Sequence, residues 1–303
     1  GERTSSDRGG LMTTGDLITQ PWQIQRRDLL MGDGTEYDIV QIAGAAGTPA
    51  TVPSDRALAQ RDGSIAGQDW LSSRAITITF EIVDNDTGSM TAKLDALSRA
   101  MAPTTDPEPL ALRLPGVANA TLVTTNVHVR RRSVPIDNTF AHGVARATFQ
   151  VSSADPRFYS IDTTTTTAQA SGGTSTVGLT FPATFNLSFG GAITPGAVDV
   201  TNDGNYDAPF TFRIYGPVQD PVLTRASDGA FLAFTKTLAT SADFLEVKTA
   251  DRTVTLGGTL NAYSTLDADS TWFDLIPGSN DLRLTRTGSG AATIAVYSRH
   301  AYA

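Results

Sequence analysis

The chain has 303 residues, 40% of them hydrophobic and 18% charged, with a net charge of −8 and no cysteine. Its length allows two domains, and the acidic balance argues against a nucleic-acid role, which needs clustered Lys and Arg. The missing cysteines exclude a disulfide framework and a Cys-based metal site, and no apolar run reaches the ~18 residues that read as a membrane helix.

In chain order, residues 1–16 read as a flexible extension. Gly1 to Arg8 is charged and lacks the apolar stretch of a signal peptide. Trp22–Gln25 and Tyr37–Ile42 read as short strands, with Met31-Gly-Asp-Gly-Thr35 as the hairpin turn between them. Ala43 to Ser73 is rich in Gly, Ala, Pro and Ser and reads as a long loop at an interface.

The clearest signal follows. Ile76, Ile78, Phe80 and Ile82 alternate with Thr77, Thr79 and Glu81, the period of a half-buried strand. Asp84-Asn-Asp-Thr-Gly-Ser89 breaks that strand, and the period then changes. Met90, Leu94, Leu97 and Met101 fall on one face of a helix over about residues 89–101, with Ser89 as N-cap and Pro103 as stop. This is the one confident helix, and the sheet should pack on its Met/Leu face.

Leu110–Leu114, Leu122–Val134 and Val144–Val151 read as further strands. Val123, Val127 and Val129 share one face of the second, and Ala145, Ala147, Phe149 and Val151 point inward from the third. The basic run Arg130-Arg131-Arg132 reads first as a solvated or ion-paired strand end and, as the lesser alternative, as a contact to an acidic partner surface. Asp155-Pro-Arg-Phe-Tyr159 closes a first domain over 17–160. Residues 161–195, with five consecutive threonines, read as a Thr/Gly-rich linker or β arm. Residues 196–303 contain strands and turns only, at the short spacing of a sandwich or jelly roll.

Site chemistry is sparse. His128, His142 and His300 share no metal-ligand spacing. None of the sequence motifs of serine hydrolases, zinc proteases, P-loops or dinucleotide-binding folds occurs. Asp84-Asn-Asp-Thr-Gly88 looks like a calcium loop only superficially, because Ser89 and Asp95 stand where that loop needs Gly and Glu. Asp267, Asp269 and Asp274 could supply a glycosidase pair, yet nothing singles out two of them. Trp70 and Trp272 are possible sugar platforms, although Trp272 or its neighbour Phe273 must face the core. No catalytic residue, cofactor or metal is expected. Tyr206, Tyr263 and Trp272 are candidate glycan contacts.

Several stretches together resemble the distal tail proteins of long-tailed, siphovirus-type bacteriophages. In the first domain they are Arg61-Asp-Gly63, Gly67 to Leu71, the Arg74–Ile82 strand leading into the helix, and Asp155–Tyr159. In the second they are Asn202-Asp-Gly-Asn205, Ala208-Pro209, Ile214-Tyr-Gly216, Asp251–Val254 and Trp272–Gly278 with Asn280. The resemblance covers about residues 17–303 and rests on the order and spacing of motifs that are individually weak. It implies a mainly β protein. Its first domain would be a tail-tube-like β-sandwich or split barrel with one helix, and its second a galectin-like β-sandwich. It further implies a structural, non-enzymatic virion protein at the distal end of the tail, a minor tail or baseplate component made in the host cytoplasm. That protein forms a hexameric ring between the tail tube and the hub or tail-associated protein, with tape measure and tail fibres as further partners, and it neither binds nucleic acid nor enters membranes. The alternative reading is a carbohydrate-binding module protein that aids adsorption to the host cell wall.

Overall fold

The computed structural model describes residues 14–171, 196–287 and 291–303. Most of the 1–16 extension and of the 161–195 segment therefore lies outside the described residues. The chain divides into two compact units, Gly1–Ile161 with Tyr302–Ala303, and Asp162–Ala301.

The first unit is built on an antiparallel sheet. Its path runs Leu29–Gly32, Gln23–Arg26, Glu108–Arg113, Val123–Ser133, Val144–Ser153, Arg74–Val83 and Asp38–Ala43. Alternation decides which face is buried: Ile76, Ile78, Phe80 and Ile82 meet Ala145, Ala147, Phe149 and Val151 across the longest pairing, all in one core. Phe80 and Phe149 pack edge to face at 6.0 Å. The helix adds Met90, Leu97 and Met101 to that core, with Leu94 partly buried against it.

Three expectations need correction. The helix spans Thr87–Ala100, starting two residues and ending one residue earlier than read. Its N-cap is Asp86 rather than Ser89, because the Asp86 carboxylate accepts from the free Gly88 and Ser89 amides at 3.1 and 3.3 Å. The first hairpin is also different. Gln23–Arg26 pairs with Leu29–Gly32, whereas Asp38–Ala43 pairs with Arg74–Val83 on the far side of the sheet. The turn residues were legible, but turn chemistry alone does not choose between neighbouring partners. Finally, Ala43–Ser73 is not an unstructured loop. Thr51–Val52 pairs with Trp70–Leu71, and nested inside, Arg56–Ala57 pairs with Ser64–Ile65. Its short rungs carry too few apolar residues to show a period.

Helix termination depends on two arginines that periodicity does not reveal. Arg26 is fully buried; it donates to the carbonyls of Ala100 and Ala102 and pairs with Glu108 at 2.9 Å. Arg27 donates to Arg99 O at 2.7 Å and to both Glu108 oxygens. Carbonyls at and just beyond the helix end thus receive cationic donors, which also suit the negative pole of the helix.

The second unit holds two sheets. One is ordered Thr164–Ser171, Ala291–Ser298, Phe210–Tyr215, Phe244–Lys248, Thr253–Leu256 and Leu260–Asn261. The other is ordered Gly196–Asn202, Gly278–Thr287, Val218–Arg225 and Phe231–Ala233, with Thr237–Leu238 also on Val218–Arg225. The threonine run forms a strand, because extended β-branched residues pair readily with Ala291–Ser298. Alternating residues such as Phe212, Ile214, Leu245, Val247, Leu282, Leu284, Ile294 and Val296 are buried. Phe210 stacks on Phe212 at 5.7 Å, and Phe212 meets Phe234 at 6.4 Å. The protein is mainly β, a two-sheet sandwich following a sheet-and-helix unit.

Candidate functional site

The most distinctive surface of the first unit is the arm between Ala43 and Ser73. Every residue from 51 to 70 is exposed except the half-buried Leu58. Val52, Ile65 and Trp70 are among the exposed large apolar side chains, Trp70 at 60%. A two-stranded ribbon without a core is at best marginally stable alone in water, and bare apolar side chains on such a ribbon suit contact with another surface.

The root of the arm is held firmly. Arg74, 2% exposed, donates from Nη1 to the carbonyls of Gly44, Ala45 and Gly47 at 3.2, 2.9 and 2.7 Å, and from Nε to Pro156 O at 2.7 Å. Its guanidinium lies 4.7 Å from the centre of the Phe158 ring. Burial lowers the Arg74 pKa from its ordinary value. One side chain thus ties the strand leaving the arm to the segment entering it. Ser72 N to Ala50 O at 2.7 Å closes the same neck. Gly44 is required there: its φ is +85°, and a Cβ would lie 2.1 Å from Ala75 O. Further out, Ser54 Oγ donates to Gln68 O at 2.6 Å and Gly67 N to Asp55 Oδ1 at 2.9 Å.

The candidate glycan contacts are partly brought together. Tyr263 is 49% exposed and stacks on the half-buried Trp272, with 6.5 Å between ring centres and 16° between planes. Phe273, not Trp272, takes the core position. Tyr206 is exposed but joins neither ring among the described residues; its backbone bridges to Ala301. Trp70 lies in the arm, in the other unit.

Asp267, Asp274, His300 and Asp84 have structural partners. Asp267 Oδ1 accepts from Asp269 N at 3.0 Å, and Asp274 Oδ1 accepts from the Thr249 hydroxyl at 2.9 Å. His300 Nδ1 accepts from Asp203 N at 2.9 Å. Asp84 accepts from Asp86 N and pairs with Lys93 at 2.9 Å; hydrogen bonds from Ser89 and Lys93 hold its pKa well below the usual carboxylate range. Among the described residues, no group of three or more His, Cys, Asp or Glu side chains could hold a metal ion, and no helix is long and apolar enough to cross a membrane.

Comparison with known proteins places this architecture. Residues 203–300 match the family described as siphovirus-type tail component, C-terminal domain. That match falls within the second unit. Dit (gp 19.1) of phage SPP1, whose structure is described as a paradigm of the hub adsorption apparatus in phages infecting Gram-positive bacteria, is 15% identical. The alignment covers 91% of this chain and 98% of that one, with a TM-score of 0.61. A chain of the phage P2 baseplate in its activated conformation with Ca is 10% identical over 90% and 97% of the two chains, with a TM-score of 0.45. At 15% identity the likeness to Dit speaks for the fold alone. A search of curated proteins finds no match. The family match and the shared fold bear out the resemblance to the distal tail proteins of siphophages.

Proposed function

We propose that this chain is a structural protein of a siphophage tail tip. Copies close into a hexameric ring through the first unit, at the distal end of the virion tail. The ring joins the tail tube to the hub or tail-associated protein, with tape-measure and fibre proteins as further neighbours. Its work is assembly rather than catalysis. The observation that carries this reading is the arm. A ribbon with exposed Val52, Ile65 and Trp70, on a root locked by buried Arg74, is organised to lie on a neighbouring copy. Head-to-tail contacts of that kind generate closed rings when the rotation closes. The tail-component match and the Dit fold supply the setting.

The test is solution mass by light scattering, with negative-stain imaging of the same sample. The wild-type chain is expected to give rings, or a trimer-to-hexamer equilibrium that concentration drives toward rings. A Val52→Ser, Ile65→Ser, Trp70→Ala variant is expected to keep its fold and lose the higher-mass species. Rings that survive intact in the triple variant would refute the arm as the contact, and a strict monomer at high concentration would count against self-assembly.

A second reading rests on the stacked pair of Tyr263 and Trp272. A partly exposed aromatic pair can offer an apolar face to a sugar ring, so the protein would also aid cell-wall adsorption. Glycan-array binding by the full chain that disappears in Tyr263→Ala would support it, and an array without hits would remove it.

A further inference from the structure

The arginine run at residues 130–132 plays no part in the arm or in the aromatic pair. All three side chains are exposed at the end of the Val123–Ser133 strand. That strand is irregular here: Val129 pairs with Val151, but the next residue to pair, opposite Gln150, is Arg131. Arg130 is the extra residue of a β-bulge. In a regular ladder Arg130 would stand opposite Gln150, and Arg131 would share the inward face of Phe149. Bulges re-aim side chains in this way.

The re-aimed Arg131 joins a row of solvent-facing side chains. Gln150 is its partner on the next strand, and Thr77 is the partner of Gln150 on the strand beyond. The adjacent row is Ser133, Thr148 and Thr79. Arg131, Gln150, Thr77, Ser133 and Thr148 line one shallow depression of about 350 Å³. Thr148 and Thr79 hydroxyls bond each other at 3.2 Å. The nearest acid in the pattern, Glu81, is held by Arg146 at 2.7 Å in the row after that. Among the described residues no carboxylate pairs with Arg131, and Arg130 and Arg132 have no ion pair either. The depression therefore presents one unpaired guanidinium, three hydroxyls and one amide. All stand on paired strands, which hold side chains more firmly than loops do.

We propose that this depression binds a carboxylate side chain from an acidic segment of a partner protein. The planar guanidinium fork matches a carboxylate in two parallel hydrogen bonds, and the hydroxyls and amide can complete its shell. A protein carboxylate is favoured over a nucleic-acid backbone because the chain carries −8 overall. A polyphosphate needs many neutralising contacts along its length, whereas this site offers one aimed arginine with two flanking it. The site stands independently of the ring.

The probe is a fluorescein-labelled hexaglutamate peptide, followed by anisotropy with the full-length protein at low salt, where screening is weak. Saturable binding tighter than about 1 mM is expected. Arg131→Ala should weaken it roughly tenfold or more, the range of a charged hydrogen bond, and Arg131→Lys should fall between, because charge remains without the fork. Arg99→Ala, an exposed helix arginine paired with Asp95, should leave binding unchanged, and a hexaglutamine peptide should not bind. Arg131 is exposed, so its variants are expected to fold, with circular dichroism as the check. Absence of saturable binding, or equal binding by Arg131→Ala, would overturn the proposal. So would tighter, Arg131-dependent binding of inorganic phosphate or duplex DNA.

Discussion

Replacing Arg74 by alanine probes the arm root directly. The substitution removes one donor to each of four carbonyls, Gly44, Ala45, Gly47 and Pro156, and uncovers the Phe158 ring. The Ala45 bond is buried and the others are partly buried. A buried acceptor without a partner costs about 1–3 kcal/mol, and partly buried ones recover some of that from water. The bonds share one side chain, so they do not add fully. A net loss of about 3 kcal/mol follows, in the range seen when a buried charged network is broken. For a unit of this size that is a fall in midpoint temperature of roughly 6–12 °C. Urea denaturation monitored by fluorescence measures the free-energy change, and brief trypsin treatment reports the neck itself. Cleavage at Arg56 and Arg61 should accelerate in Arg74→Ala before global unfolding. Arg74→Lys should recover less than half of the loss, since an ammonium cannot reach three carbonyls and a fourth behind it. A change below about 0.5 kcal/mol would refute the reasoning, because it would mean the carbonyls are hydrated without Arg74.

Two further predictions follow from the structure. Asp86→Ala removes the acceptor for the Gly88 and Ser89 amides and should cost about 1 kcal/mol, with fraying of the first helical turn seen by hydrogen exchange. The second concerns Asp228, whose pKa is lowered to about 2, chiefly by its hydrogen bond from Arg225. A carboxylate depressed in the folded state stabilises above its unfolded pKa, and that contribution is lost as pH falls through the folded value, here between about 4 and 2. The Asp228 side chain is 48% exposed, so screening limits the term to about 1 kcal/mol or less. Asp228→Asn should flatten that part of the stability–pH profile while leaving Arg225 on the Phe273 ring at 5.1 Å. An unchanged acid limb would contradict the assignment.

Much of the fold was legible because strand and helix periods are local. The alternation from Ile76 to Ile82 and the face carrying Met90, Leu97 and Met101 each report burial from a single stretch of chain. The candidate site was less legible. Trp272 and Phe273 are adjacent, and only packing decides which of them enters the core. The arm lacked a period because its side chains on both faces are exposed, so nothing selects alternation.

The sequence alone determined the mainly β architecture and the approximate position of the long helix, since those follow from hydrophobic spacing and turn residues a few positions apart. Tertiary structure decided what depends on distant partners. Asp38–Ala43 chose Arg74–Val83 over its neighbour in the chain. Arg26 and Arg74 can be buried because carbonyls distant in the chain accept their hydrogen bonds. A bulge of one residue turned Arg131 to the solvent face. A charged side chain is buried only where acceptors converge on it, and local sequence carries no record of that convergence.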